Sequence, residues 1–150
     1  KLGLVPFGKI VPLSSESPPL TYNTIGRHQS PLALTKICTN KSPWLMHCKV
    51  GEVYNIPISH GEGRFVASDE VIAKLIENGQ IATQYVDLNG EPTMDLAYNP
   101  NSSIEGIISA DGRVLGKMGR TERIRSDTCV NVDGNKEQLL FKGGVDYFRI

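Results

Sequence analysis

Turns punctuate this chain at short intervals. Asn40-Lys41-Ser42-Pro43, Asn78-Gly79, Asp87-Leu88-Asn89-Gly90 and Ala110-Asp111-Gly112 carry the residues that tight turns favour. The apolar stretches between them are only a handful of residues long. Such spacing favours short strands over long helices. Leu32–Thr39, Glu52–Ile58, Ile81–Val86, Ile104–Ser109 and Arg113–Lys117 read as strands, with Pro57 setting the second at a sheet edge or a strand end. Ser68-Asp69-Glu70 opens the clearest helix, with an N-cap residue and two acids in the first turn. Val71, Ile72, Leu75 and Ile76 give that helix one apolar face. Asn135–Ile150 reads as a C-terminal helix with Leu139, Leu140, Val145 and Phe148 on its apolar side, weakened at Gly143-Gly144 by about 1 kcal/mol per glycine. The Pro- and Ser-rich residues 8–31 read as loop. Strands outnumber helices in this mixed α/β pattern. That balance fits the second half of a larger α/β fold. Lys1-Leu2-Gly3-Leu4-Val5-Pro6 looks like the end of a helix with Gly3 as its C-cap, which makes the chain read as a C-terminal portion.

Charge and cysteines narrow the function classes. Sixteen Lys and Arg balance sixteen Asp and Glu, which argues against a mainly electrostatic nucleic-acid binder. No apolar run approaches the roughly 18 residues of a membrane span. Cys38, Cys48 and Cys129 read as reduced thiols of a cytoplasmic protein. No Cys or His spacing suggests a metal.

Two polar clusters stand out. In Ser59-His60-Gly61-Glu62-Gly63-Arg64-Phe65 an imidazole and a carboxylate lie two residues apart. On a strand they would share a face, and Glu62 would orient His60 as a base. A structural turn fits equally, with Arg64 paired to Glu62 and His60 bonded to a backbone carbonyl. Gly61 and Gly63 would let backbone approach closely. The second cluster is Gly119-Arg120-Thr121-Glu122-Arg123. Arginine stays protonated and cannot serve as a base, so from the residues alone this is a surface charge cluster. Asn23-Thr24-Ile25-Gly26-Arg27-His28 reads as a structural turn, and Trp44 as a core or rim aromatic. His47 and Cys48, as sequence neighbours, would face opposite ways.

Six segments fall in a familiar order. They are Ser42-Pro43-Trp44-Leu45, the His60 cluster, Gln80-Ile81-Ala82-Thr83-Gln84-Tyr85-Val86-Asp87, Asn99-Pro100-Asn101, Ile104-Glu105-Gly106-Ile107 and Asp111-Gly112-Arg113-Val114-Leu115-Gly116. Together they resemble the glutamine amidotransferase domain of phosphoribosylformylglycinamidine synthase across nearly the whole chain. The resemblance implies a flavodoxin-like α/β domain of the class I glutamine amidotransferases. It implies a ligase that takes its amido nitrogen from glutamine. A cysteine thiolate attacks the glutamine amide, a histidine transfers protons and a glutamate orients the histidine. The ammonia passes to a synthetase domain, which uses ATP and Mg in purine biosynthesis. No cofactor is expected in this chain.

Two departures shape the expectation. The family nucleophile would precede Lys1, so residues 1–150 would be a partial glutaminase domain without it. The His–Glu stretch here reads Met118-Gly119-Arg120-Thr121-Glu122-Arg123. Glu122 matches the orienting glutamate, and Arg120 occupies the histidine position, where it is not competent as a base. Ser102 stands where the family often has glycine. The chain alone is therefore expected to be inactive, with His60, Glu62 and Arg64 near the pocket or the synthetase contact. Its expected partners are glutamine, the synthetase domain and, through uncovered apolar surface, a second copy of itself. The alternative is a non-catalytic amidotransferase-like module.

Overall fold

The computed structural model describes residues 2–15, 17–93 and 103–149. The expected loop at Asn99-Pro100-Asn101-Ser102-Ser103 lies outside them except for Ser103, which takes a left-handed φ of 56°. Helix α1 is Leu4–Phe7, α2 is Asp69–Glu77 and α3 is Leu140–Tyr147. The strands are β1 Leu20–Thr21, β2 Leu32–Ile37, β3 Val53–Pro57, β4 Arg64–Phe65, β5 Ile81–Tyr85, β6 Ile104–Ile108 and β7 Leu115–Lys117. Short 3-10 turns occupy Pro43–Leu45 and Thr121–Arg123.

Five strands form one sheet in the order β3-β2-β5-β6-β7, and each adjacent pair is antiparallel. Alternation explains β2, whose Ala33, Thr35 and Ile37 are buried while the residues between them are half-buried. β6 is buried at every position, as a strand covered on both faces must be. Consecutive residues of β5 show the layering. Ile81 packs with Ile72 and Leu75 of α2, whereas Ala82 packs with Leu45 and Leu140. The sheet therefore carries α2 on one face, and α3 with the Pro43–Leu45 turn on the other. Pro57 ends β3, an edge strand, as expected. The remaining pair, β1 with β4, forms a separate two-stranded sheet, so residues 8–31 are not wholly loop.

Ser68 caps α2 by accepting the Val71 N–H, and Gly79 ends it at a φ of 63°. Val71, Ile72 and Leu75 face the core, but Ile76 is 59% exposed and does not belong to that face. Gly3 is left-handed at a φ of 89°, but it is the N-cap of the single turn of α1 and not a C-cap, because Leu4, Val5 and Pro6 continue into that turn.

Helix α3 differs most from expectation. It starts at Leu140 because the preceding residues are engaged elsewhere. The Asn55 N–H donates to Asn135 O at 2.6 Å along the open edge of β3, and the Asn135 amide donates to Glu52 at 3.2 Å. Its packing face is Leu140, Gly143 and Gly144, while Val145 and Phe148 are largely exposed. The glycines are not weak points. A Cβ on Gly143 would lie 2.6 Å from Pro43 O, and one on Gly144 would lie 2.6 Å from the Trp44 ring. Trp44 is itself fixed by donating from Nε1 to Arg113 O at 2.9 Å.

In a solvated helix, glycine to alanine stabilises by about 1 kcal/mol. Here the sign reverses, because backbone cannot yield. Gly143→Ala is expected to lower unfolding free energy by about 1–3 kcal/mol, read from urea denaturation followed by circular dichroism. A raised midpoint would contradict this packing.

Candidate functional site

The chain leaves β7 through Met118 and Gly119 and turns at Thr121–Arg123. Backbone bonds fix that exit. Met118 N–H donates to Glu105 O at 3.1 Å, and Arg120 N–H donates to Pro57 O at 2.7 Å. Arg120 Nη1 stands 3.5 Å from Glu122 Oε1, with both side chains about half exposed at 47% and 48%. Exposed pairs of this kind contribute only about 0–1 kcal/mol. Their significance is position, because both line a cavity of about 590 Å³ whose apolar wall includes Trp44, Leu115, Met118, Leu140 and Phe141.

Beneath this turn lies a residue that the site reading overlooked. Glu105 has no side-chain exposure. Its carboxylate accepts the Gly119 N–H and the Thr83 hydroxyl, with Lys117 Nζ 3.7 Å away. Lys117 also donates to Thr121 Oγ1 at 3.1 Å and to Gln138 Oε1 at 2.9 Å. A charged residue inside the apolar run Ile104-Glu105-Gly106-Ile107-Ile108 was the available signal.

The His60 cluster adopts a structural arrangement different from either expected form. His60 is only 7% exposed. It pairs with Gln29 through backbone bonds of 3.0 Å in both directions. The Asn23 amide donates to His60 O at 2.8 Å and to Arg27 O at 3.0 Å. Asn23 Oδ1 is thus the acceptor, and His60 Nδ1–H donates to it at 2.9 Å. Asn23 is a structural residue, as expected. Gly63 is required by the ring, since a Cβ there would lie 2.2 Å from His60 Nδ1. Gly61 has no such close neighbour, its nearest contact being 3.9 Å. Glu62 is exposed, and Arg64 sits half-buried in β4. Glu62 makes no ion pair with Arg64 among the described residues.

The two clusters share one neighbourhood. Burial lowers the His60 pKa, His28 and Arg120 lower it further, and Glu105 opposes them. Burial dominates at two of the cysteines. Burial pushes Cys38 up to about 11 and also raises Cys48. Cys129 lines a different cleft, with Arg125 and Lys136. His47 reaches Asp146 at 2.7 Å while Cys48 is buried, so the two do face apart. Among the described residues no group of three His, Cys, Asp or Glu could hold a metal, and no helix is long and apolar enough to cross a membrane.

The described elements form a mixed α/β domain in which the turn after the last strand brings Glu122 to the wall of a cavity. Comparison with known proteins makes this specific: residues 1–148 match the family described as CobB/CobQ-like glutamine amidotransferase domain. The chain belongs to that family. It is 45% identical over 95 residues to phosphoribosylformylglycinamidine synthase subunit PurQ of Chlorobium chlorochromatii, covering 61% of this chain and 38% of the relative. The subunit of the same name from Methanosarcina acetivorans is 34% identical over 131 residues, covering 85% and 54%. The chain thus spans about half the length, or less, of these relatives. A chain of the solved structure of PurLQS from Thermotoga maritima superposes with a TM-score of 0.66 at 23% identity, covering 87% of this chain and 52% of that one. That likeness shows a shared fold.

The lowered His60 pKa predicts a pH dependence. Above the ordinary histidine value of about 6.5 the ring is neutral in both states, and its contribution is complete. As pH falls below that value the unfolded chain takes a proton that the folded chain resists, so stability is lost down to the folded pKa. Urea midpoints should fall between about pH 7 and 5, and His60→Gln should flatten that fall. An equal slope in the variant would exclude His60 as its source.

Proposed function

We propose that this chain is the Glu122-bearing part of a glutaminase domain that supplies ammonia to a phosphoribosylformylglycinamidine synthase. The observation that carries this reading is Glu122 at the mouth of the 590 Å³ cavity, on the turn that leaves β7. In the family chemistry a cysteine thiolate attacks the side-chain carboxamide carbon of glutamine. Ammonia leaves with a proton from a histidine, and water then cleaves the thioester to glutamate and restores the thiolate. A synthetase domain, using ATP and Mg in the cytoplasm, consumes the ammonia. Glu122 would hold the histidine in orientation.

This chain lacks two of those parts. Residue 120 is Arg, whose guanidinium cannot accept the proton. Cys38, raised to about 11, stays a thiol near neutrality, and Cys48 is buried and raised as well. Cys129 lines a cleft next to one that Glu122 lines, but not the 590 Å³ cavity itself. On this reading none of the three cysteines is the family nucleophile. Glu62, exposed beside His60, is suited to a contact with the synthetase domain, whereas His60 supports the loop that carries it.

The purified chain should release no ammonia from glutamine above buffer. Within the complete domain, Arg120→His should raise glutamine hydrolysis by about a hundredfold or more. The second reading, a non-catalytic amidotransferase-like module, is favoured by the Arg120–Glu122 pair, which occupies the orienting carboxylate with a cation. No gain from Arg120→His would support that reading over the first. Glu62→Ala should impair glutamine-dependent synthesis more than ammonia-dependent synthesis; equal losses would remove Glu62 from the contact.

A further inference from the structure

We infer that Glu105 is a positioning residue that fixes where residues 120 and 122 stand. The inference about the backbone is independent of the chemistry; its catalytic consequence rests on the glutaminase reading. Position 120 is held from three directions. On its N-terminal side Gly119 donates its N–H to the Glu105 carboxylate. The Arg120 N–H itself is taken by Pro57 O at 2.7 Å. On its C-terminal side Thr121 is bonded to Lys117 and donates to Gln138 Oε1 at 2.8 Å. Lys117 joins the two sides, since its ammonium faces Glu105 at 3.7 Å and Thr121 at 3.1 Å.

Glu105 also secures the turn to the sheet interior. Its second oxygen accepts from Thr83 on β5, so the carboxylate spans β5, β6 and the exit of β7. A side chain at 119 would displace the Glu105–Lys117 pair. A Cβ there would lie 2.8 Å from Glu105 Oε1 and 2.9 Å from both Ile56 Cγ2 and Lys117 Nζ. The Glu105 carboxylate has no solvent exposure and does not line the cavity that Arg120 and Glu122 line. Glu105 thus acts through Gly119 and is not in place to exchange protons with substrate.

A buried ion pair can be replaced by apolar residues without loss of stability, which separates positioning from folding. The test compares Glu105→Gln, Glu105→Leu and the double variant Glu105→Leu/Lys117→Met. Amide hydrogen exchange is read at Gly119 and Arg120 in the chain as it stands, against α2 as the internal reference. The double variant should regain the unfolding midpoint lost by Glu105→Leu. It should still lose about tenfold or more of the protection at Gly119 and Arg120. Glu105→Gln, which keeps an acceptor for Gly119, should lose less. In the complete domain carrying Arg120→His, the double variant should lower kcat for glutamine about tenfold while KM stays within about twofold. Unchanged protection at Gly119 and Arg120 in the folded double variant would overturn the inference. So would a kcat that recovers together with the midpoint. If the Arg120→His domain with Glu105 intact shows no glutaminase activity, the functional reading fails, and exchange alone decides the role of Glu105.

Discussion

A carboxylate with no solvent exposure, in a strand covered on both faces, imposes a demand on everything around it. Left alone, such an ion would destabilise the fold by several kcal/mol. Glu105 meets the demand with a backbone N–H from beyond β7, a hydroxyl from β5 and an ammonium from β7. None of these donors belongs to its own strand. The sheet must therefore be assembled in its observed order before the carboxylate is satisfied, and the turn after β7 cannot lift away without stranding it. Lys117 carries the constraint onward through Gln138 to the residue pair just ahead of α3.

The opposite side of the turn is held by a different kind of bond. Arg120 N–H reaches Pro57 O, at the end of β3. Three residues later the chain enters the His60 loop, which is closed by reciprocal bonds to Gln29 and by the Asn23 side chain. The two polar clusters, about sixty residues apart in sequence, are thus joined through backbone. Their carboxylates do different work. Glu62 and Glu122 are available at the surface, whereas Glu105 is spent inside.

Much of this architecture could be read from local pattern. Turn residues at Asn78-Gly79, Asn89-Gly90 and Asp111-Gly112 divide the chain where the structure does, and the Ser68 cap starts α2 where it was expected. The resemblance of the ordered segments leads to the family that the comparison finds. Local pattern failed where the deciding contact was distant in sequence. Asn135 precedes the helix formers Lys136, Glu137 and Gln138 but bonds to the edge of β3, which delays α3. Gly143 and Gly144 look like helix breakers, and only the position of Trp44 reveals them as its contact surface. Glu105 looked incidental because its partners lie on other strands. His60 looked chemical because its buried partner, Asn23, precedes it by 37 residues.

The seat of α3 has an optical side. Trp44 is the only tryptophan in the chain, and its ring rests directly on the Gly144 backbone. Any event that unseats α3 would bring water to the indole and shift its emission to longer wavelength, even with the five-stranded sheet intact. The side chains missing from two glycines thus leave the molecule with an intrinsic fluorophore that reports on one helix.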